Sequence, residues 1–329
     1  MTRSSNPLRV GVIGVGRIAR DWVPVVLGTP AFELVGVVDA DPRALEDAVR
    51  EFDTAGFSGV SEMIDMVEPD AALILTPPVS HADLAVKLFA CGVHVLCEKP
   101  LALNAAEVAR MLDEASRSSC ALVMASKFRH VPAVSQALTL IDEGLIGEVR
   151  HFDNWFCAET DMSSRWNSDP EISGGGVLID NGVHAVDLAQ LFLGSIVRVS
   201  ARLDRSEKNL SVEDTASLEM ENAAGVSGRS ELSWAIDRKV DDFVCVEGSA
   251  GTLRVGWKKS SYRLSGESAW HEFGDGYDKR VAFRRQLEDF ASVVRGDRSP
   301  AIGVSDALHC ARVIDAAYRS ASEGEWATV

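Results

Sequence analysis

The sequence predicts an α/β protein of two domains: a doubly wound parallel sheet, then an α+β domain on a large, mostly antiparallel sheet. Three observations carry this reading. Residues 8 to 125 alternate short apolar runs with helix-period segments, the pattern of a parallel sheet covered on both faces. The first apolar run, Leu8 to Ile13, breaks into Gly14-x-Gly16-x-x-Ala19, and a helical pattern follows. From Val197 to about Phe273, strand-like segments succeed one another with no helix between them, which reads as one antiparallel sheet.

Taken in order, the first turn already has a chemical meaning. Gly14 permits the tight turn out of the strand, Gly16 lets backbone approach a pyrophosphate, and Ala19 lets the helix pack hard on the strand. The helix N-terminus offers N–H groups and positive potential to an anion. A second apolar run, Leu34 to Val38, ends in Asp39, 20 residues after Ala19. That is where an acid that bonds a ribose 2′-hydroxyl stands. The same glycines serve tight turns that bind nothing, so the fingerprint gains its weight from Asp39.

Asp41-Pro42 opens a helix to about Phe52, with Asp as cap and Pro at the first helical position. A turn of helix from Ser61 to Val67 leads through Pro69 into a strand, Ala71 to Leu75, which Thr76-Pro77-Pro78 stops. Ser80 is expected to cap the next helix, Ala82 to Cys91, which Gly92 ends. The run Val93 to Cys97 counts as the fifth strand. Helix Ala105 to Arg117 and strand Ala121 to Ala125 complete a six-stranded sheet. The domain boundary is placed at 126/127, giving domains 1–126 and 127–329, with the C-terminal helices candidates to pack back on the first.

A linking helix from Pro132 to Glu143 ends in Gly144-Leu-Ile-Gly147, and a strand runs to Cys157. A polar, tryptophan-bearing loop covers Ala158 to Ser173. Gly174-Gly-Gly176 then introduces the strongest helix of this half, Val177 to Leu193. Strands follow at Val197–Leu203, Thr215–Glu221, Val226–Trp234, Asp242–Glu247, Thr252–Val255 and Ser261–Leu264; helices Val281–Val294 and Ser305–Ser322 close the chain.

Composition narrows the function classes. The chain has 329 residues, 46% hydrophobic and 25% charged, ordinary values for a soluble globular protein. No apolar run is long enough to span a bilayer, and Met1 to Pro7 carries no signal-peptide core. A formal charge of −16 argues against a nucleic-acid partner. Six scattered cysteines, none in a C-x-x-C pair or at zinc spacing, read as small buried hydrophobes in a reducing compartment, hence a cytoplasmic protein with no metal site.

Two clusters could carry chemistry. Cys97-Glu98-Lys99-Pro100 directly follows a strand, and in a wound sheet ligands lie outside the carboxyl ends of the strands. Lys99 there either faces the cofactor crevice or is a solvated surface lysine. The second cluster is Asp180-x-x-x-His184, where residues i and i+4 share a helix face and Asp187 follows on it. Such a pair is also common on plain surfaces. Three glycines before the helix suggest close approach of a ligand or of backbone. Together the parts suit alcohol oxidation: His184 as base, Asp180 orienting it, and the Lys99 ammonium stabilising alkoxide charge. A nicotinamide would carry the redox step, with no need of a metal.

The sequence resembles the glucose–fructose oxidoreductase / inositol dehydrogenase / MocA (Gfo/Idh/MocA) family over nearly its whole length. The resemblance rests on the fingerprint, Thr76-Pro77 with His81, the run Gly92 to Pro100, the run Gly174 to His184, Phe283 to Phe290, and Ala316 to Gly324. It implies an N-terminal Rossmann domain, a C-terminal open-faced sheet that serves as a subunit interface of a homodimer or homotetramer, and catalytic positions at Lys99, Asp180 and His184. Asp39, with Asp41 nearby and Arg43 offsetting in part, would repel the extra phosphate of NADP and so favours NAD. The expected cofactor contacts are Gly14, Gly16, Arg17, Ile18, Asp39, Thr76, Pro77, His81, Glu98 and Lys99, and the resemblance implies a cis bond before Pro100. Substrates would be sugars, sugar nucleotides or cyclitols. Lys127, Arg129, Trp155, Arg165 and Trp166 are further candidates for the substrate wall, each equally open to a packing or surface role. A glycosidase that oxidises its substrate transiently, or a non-catalytic sugar- or nucleotide-sensing protein, are the alternative readings.

Overall fold

The structure is a computed structural model that describes residues 6–205 and 210–329. Residues 1–5, part of the N-terminal stretch read above as lacking a signal core, lie outside the described residues. The first half runs β1 (Leu8–Ile13), α1 (Ala19–Leu27), β2 (Phe32–Val38), α2 (Pro42–Phe52), β3 (Gly56–Phe57), α3 (Val60–Val67), β4 (Ala71–Ile74), α4 (His81–Phe89), β5 (His94–Glu98), α5 (Ala105–Arg117) and β6 (Leu122–Ala125). The second half runs α6 (Pro132–Asp142), β7 (Val149–Cys157), α7 (Pro170–Ser173), α8 (Val177–Asp180), α9 (Gly182–Leu193), β8 (Ile196–Asp204), β9 (Thr215–Asn222) and β10 (Ser227–Ser233). It continues with β11 (Asp242–Gly248), β12 (Gly251–Gly256), β13 (Lys259–Leu264), β14 (His271–Asp275), α10 (Lys279–Val294), α11 (Val304–Glu323) and β15 (Ala327–Thr328).

The chain divides into two compact units: Met1–Ala102 with Ala106–Lys127 and Lys279–Val304, and Leu103–Ala105 with Phe128–Asp278 and Ser305–Val329. In the first, six parallel strands stand in the order β3-β2-β1-β4-β5-β6. The chain leaves β1 in one direction and returns to its other side at β4, so the strand order reverses there. All four β4 residues are buried, as are Val10 to Ile13, which is what a sheet covered on both faces demands. The strand β3, only Gly56–Phe57, carries no apolar run, and no sequence pattern locates it.

Local chemistry explains the start of α2. The Asp41 side chain accepts from the Arg43 N–H at 2.9 Å, with Pro42 at the first helical position. The expected Ser80 cap is not made. Ser80 Oγ donates instead to the Pro77 carbonyl at 2.9 Å and accepts from Thr76 Oγ1 at 2.7 Å, tying the turn after β4 together.

The helix α10 lies far along the chain but belongs to the first unit. Phe283 stacks on Trp22 of α1 at 3.9 Å with ring planes 5° apart, and Trp22 Nε1–H donates to Glu98 Oε1 at 2.7 Å. Lys279 pairs with Asp21 at the same seam.

The second unit carries nine strands in the order β14-β13-β12-β11-β7-β10-β9-β8-β15. The sheet is not wholly antiparallel, since β7 pairs with β10 in parallel. Along β7 the side chains alternate. Phe152, Asn154 and Phe156 are buried, and His151, Asp153 and Trp155 stand partly open on the other face. Helix α9 packs against β7, β8 and β10, and nearly all its residues are buried. The long helix expected from Val177 to Leu193 is interrupted at Asn181, which separates α8 from α9.

Replacing Phe283 by Ala removes a fully buried ring and leaves the Trp22 face bare. The variant should lose about 3–5 kcal/mol of stability, measured by urea unfolding followed on tryptophan fluorescence.

Candidate functional site

The carboxyl ends of β1, β2 and β4 are joined by backbone. Gly14 N–H donates to the Val38 carbonyl at 2.8 Å, and Leu75 N–H to the Ile13 carbonyl at 2.7 Å. Gly14 has φ +91°, and a Cβ there would sit 2.8 Å from the Thr76 nitrogen, so only glycine fits. Gly16 is different. A Cβ built on it meets nothing within 4 Å, so no protein packing requires glycine there.

Asp39 is pre-set by the same loop. Its Oδ2 accepts from Val15 N–H at 2.8 Å and its Oδ1 from Asp41 N–H at 2.9 Å. A carboxylate has about four lone-pair sites, so capacity for ribose hydroxyls remains. Beside it opens a cleft of about 450 Å³ whose lining includes Gly16, Arg17, Arg20, Asp41 and Arg43. The positive end of α1, the bare Gly16 and the clamped acid fit a dinucleotide diphosphate and its ribose.

His81 is completely buried, so it cannot touch a ligand, contrary to the cofactor contact the resemblance implies. It ties two turns instead: Nε2 lies 2.7 Å from the Thr76 carbonyl oxygen and Nδ1 2.9 Å from that of Pro100. Burial lowers its pKa against the pull of those carbonyls, and a neutral imidazole has one N–H to share between them. Glu98 is likewise engaged, by Trp22 through Oε1 and by Lys99 N–H through Oε2 at 3.1 Å. Lys99 is half-buried just past the end of β5, and its bond to Pro100 is cis. Thr76 and Pro77 form the turn after β4, half-buried.

In the second unit, His184 is buried to 5% exposure on α9. The Phe128 ring meets it edge-on at 5.1 Å and 82°, and Phe156 stands 6.4 Å away. Sequence reasoning passed over Phe128, which lies 56 positions earlier with no motif around it. Asp180 closes α8, half-buried, one turn before His184.

The triple glycine answers to protein rather than to ligand. Cβ atoms on Gly175 and Gly176 would collide with the Tyr318 hydroxyl and with the Glu213 carbonyl. Glu213 and Tyr318 carry no sequence signal of this role, being far from the helix in sequence.

The substrate-wall candidates scatter. Arg129 is buried and committed to ion pairs: Nη2 lies 2.7 Å from Asp187 and Nη1 3.0 Å from Asp306. Asp187 thus serves Arg129 on the helix that carries His184. Trp155 lies on the sheet face opposite α9, under the Arg238 guanidinium at 5.7 Å. Arg165 and Trp166, the latter 40% exposed, stand on the loop that leaves β7, tied to β10 by Ala158 N–H and the Ser233 carbonyl. Lys127 is half-buried where β6 gives way to the turn Lys127–His130. Among the described residues, no cluster of three metal-binding side chains occurs, and no helix is long and apolar enough to cross a membrane. Burial pushes the thiols of Cys97 and Cys310 up, so both are inert at neutral pH.

Comparison with known proteins places the whole chain. Residues 8–126 match the oxidoreductase family with an NAD-binding Rossmann fold, and residues 134–254 match the C-terminal domain of the same Gfo/Idh/MocA family. The dTDP-3,4-didehydro-2,6-dideoxy-alpha-D-glucose 3-reductase of Actinomadura kijaniata is 25% identical, with 97% of each chain covered. The inositol 2-dehydrogenase of Rhizobium meliloti is 28% identical over 96% of this chain and 97% of its own. A levoglucosan dehydrogenase solved with NADH superposes with a TM-score of 0.90 at 22% identity, covering 98% of this chain and 99% of that one.

Two outcomes are expected. A 2′-phosphate on the ribose would meet the Asp39 carboxylate, a like-charge contact costing on the order of 4 kcal/mol at about 4 Å, which Arg43 offsets in part. NAD should therefore bind much more tightly than NADP in a fluorescence titration, and Asp39→Ala should narrow the gap; equal affinities would refute this. The folded-state pKa of His81, like that of the half-buried His94, lies below its unfolded value of 6.5, so the unfolded chain binds more protons at acid pH. The stability from neutral burial is whole above about pH 6.5 and is lost as pH falls below it. Urea midpoints should drop across that window, and His81→Gln should flatten the drop.

Proposed function

Because the chain belongs to the Gfo/Idh/MocA oxidoreductase family, we propose that it oxidises a secondary alcohol, or reduces the matching ketone, of a sugar, sugar nucleotide or cyclitol with NAD(H). The observation that carries this is His184: a buried imidazole walled by Phe128 and Phe156, one turn after Asp180, in a chain whose other unit is built to hold a dinucleotide. Bound NAD supplies a hydride acceptor at its nicotinamide. The chain supplies the rest. His184 takes the hydroxyl proton, Asp180 orients the ring and favours its protonated form, and the Lys99 ammonium stabilises the developing alkoxide.

The relatives support this substrate class. One is named for a dTDP-linked deoxysugar, one for inositol, and a structural neighbour was solved with levoglucosan. We assign NAD chemistry to residues 1–126 and substrate binding to residues 127–329. We further read the protein as a cytoplasmic homodimer or homotetramer that associates through the outer sheet face, where His151, Asp153, Arg229, Glu231 and Arg254 stand.

A panel of cyclitols, free sugars and sugar nucleotides offered with NAD, read at the NADH absorbance band, tests the activity. On the best substrate His184→Ala should lose about two to four orders of magnitude in turnover with NAD affinity intact. Lys99→Met should lose turnover and some substrate affinity, and Asp180→Asn should shift the pH–rate profile. A folded His184→Ala that binds NAD and keeps wild-type turnover ends this reading.

A further inference from the structure

The first turn of the helix that carries Asp180 hangs from a single distant residue. Gly176 N–H and Leu178 N–H both donate to Glu213 Oε1, at 2.9 and 3.1 Å, and Val177 N–H donates to the Glu213 carbonyl at 2.9 Å. Tyr318 of α11 donates its hydroxyl to the same Oε1 at 2.9 Å. Three consecutive backbone N–H groups and one phenol therefore converge on Glu213, and Gly175 and Gly176 leave no room for side chains against it. The residue preceding the helix supplies no side-chain cap of its own. A carboxylate at this end also meets the positive end of the peptide dipoles.

The consequence reaches Asp180. Its own N–H bonds to the Gly176 carbonyl at 3.0 Å, so the turn held by Glu213 is the turn that aims the Asp180 carboxylate. Four residues are too few for a helix to hold itself together, and the break at Asn181 separates this turn from the well-packed α9. We propose that Glu213, braced by Tyr318, is a positioning residue that sets Asp180 relative to His184. The proposal rests on the acid–base roles given above.

Tyr318→Phe removes one hydroxyl and keeps the ring, so the variant folds; Glu213→Gln keeps an acceptor and removes the charge. Histidine-labelled protein allows the His184 imidazole to be titrated by NMR among the seven histidines, with no substrate needed. If Asp180 is no longer held, the imidazole loses part of an opposite charge. Its titration midpoint should fall by about half a unit in both variants. Turnover should fall about tenfold with KM and NADH affinity unchanged, the mark of lost orientation. Amide exchange at Gly176 to Leu178 should quicken. Faster exchange with a wild-type His184 titration and wild-type turnover would make Glu213 a structural brace only and overturn the proposal. A fully active His184→Ala would instead overturn the functional reading beneath it.

Discussion

Everything in the first unit depends on how closely the end of β1 is pressed against the end of β4. Gly14 adopts φ +91° with its missing Cβ 2.8 Å from the Thr76 nitrogen, and any side chain would push the two strand ends apart. The contact is reinforced on either side. The Asp39 carboxylate holds Val15, and the buried His81 ring holds the carbonyls of Thr76 and Pro100. Three strand ends and the segment after β5 are thus fixed by protein hydrogen bonds alone. A dinucleotide that binds there loses little free energy to ordering the loops that receive it.

Much of this was legible in the sequence because it is local. The Gly14 fingerprint, Asp39 and the Asp41-Pro42 helix start each declare themselves within a few residues, and the helix and strand periods place most elements correctly. What was not legible depends on residues far apart in the chain. The strand β3 is too short to show a period. Ser80 has a cap's identity, but Pro77 and Thr76 compete for its hydroxyl. His81 looks like a ligand in a motif and proves to be a buried tie. Arg129 looks like a free cation and is spoken for by Asp187 and Asp306, which lie 58 and 177 positions away. Strand alternation turns Trp155 to the face away from α9.

The ion pairs differ in what they mean. Pairs such as Lys259–Glu272 and Arg50–Asp47 are largely exposed and add little to stability. Arg129–Asp187 is buried on both sides, and losing one partner would strand a charge at a cost of about 3–5 kcal/mol. Its placement matters more than its energy. Asp187 sits three residues after His184 on α9, so the pair fixes the helix that carries the imidazole, and Phe128, next to Arg129, supplies the ring edge that walls it. The turn at 128–129 therefore serves His184 twice, through packing and through charge.

The two glycine-led helix starts look alike in sequence and work in opposite ways. At Gly16 the space a Cβ would fill is empty, so the protein leaves backbone bare toward solvent and whatever binds there. At Gly175 and Gly176 that space is filled by Tyr318 and Glu213, and the N–H groups that might have met an anion are spent on Glu213 Oε1. The first start is left open and the second is a joint. Glycine count and spacing cannot separate them, because both need the same absence of a side chain. The neighbour that comes to lie against the glycine decides, and for the second start that neighbour comes 37 positions later in the chain. The turn that carries Asp180 is therefore oriented from within the protein, while the glycine ahead of α1 is left open.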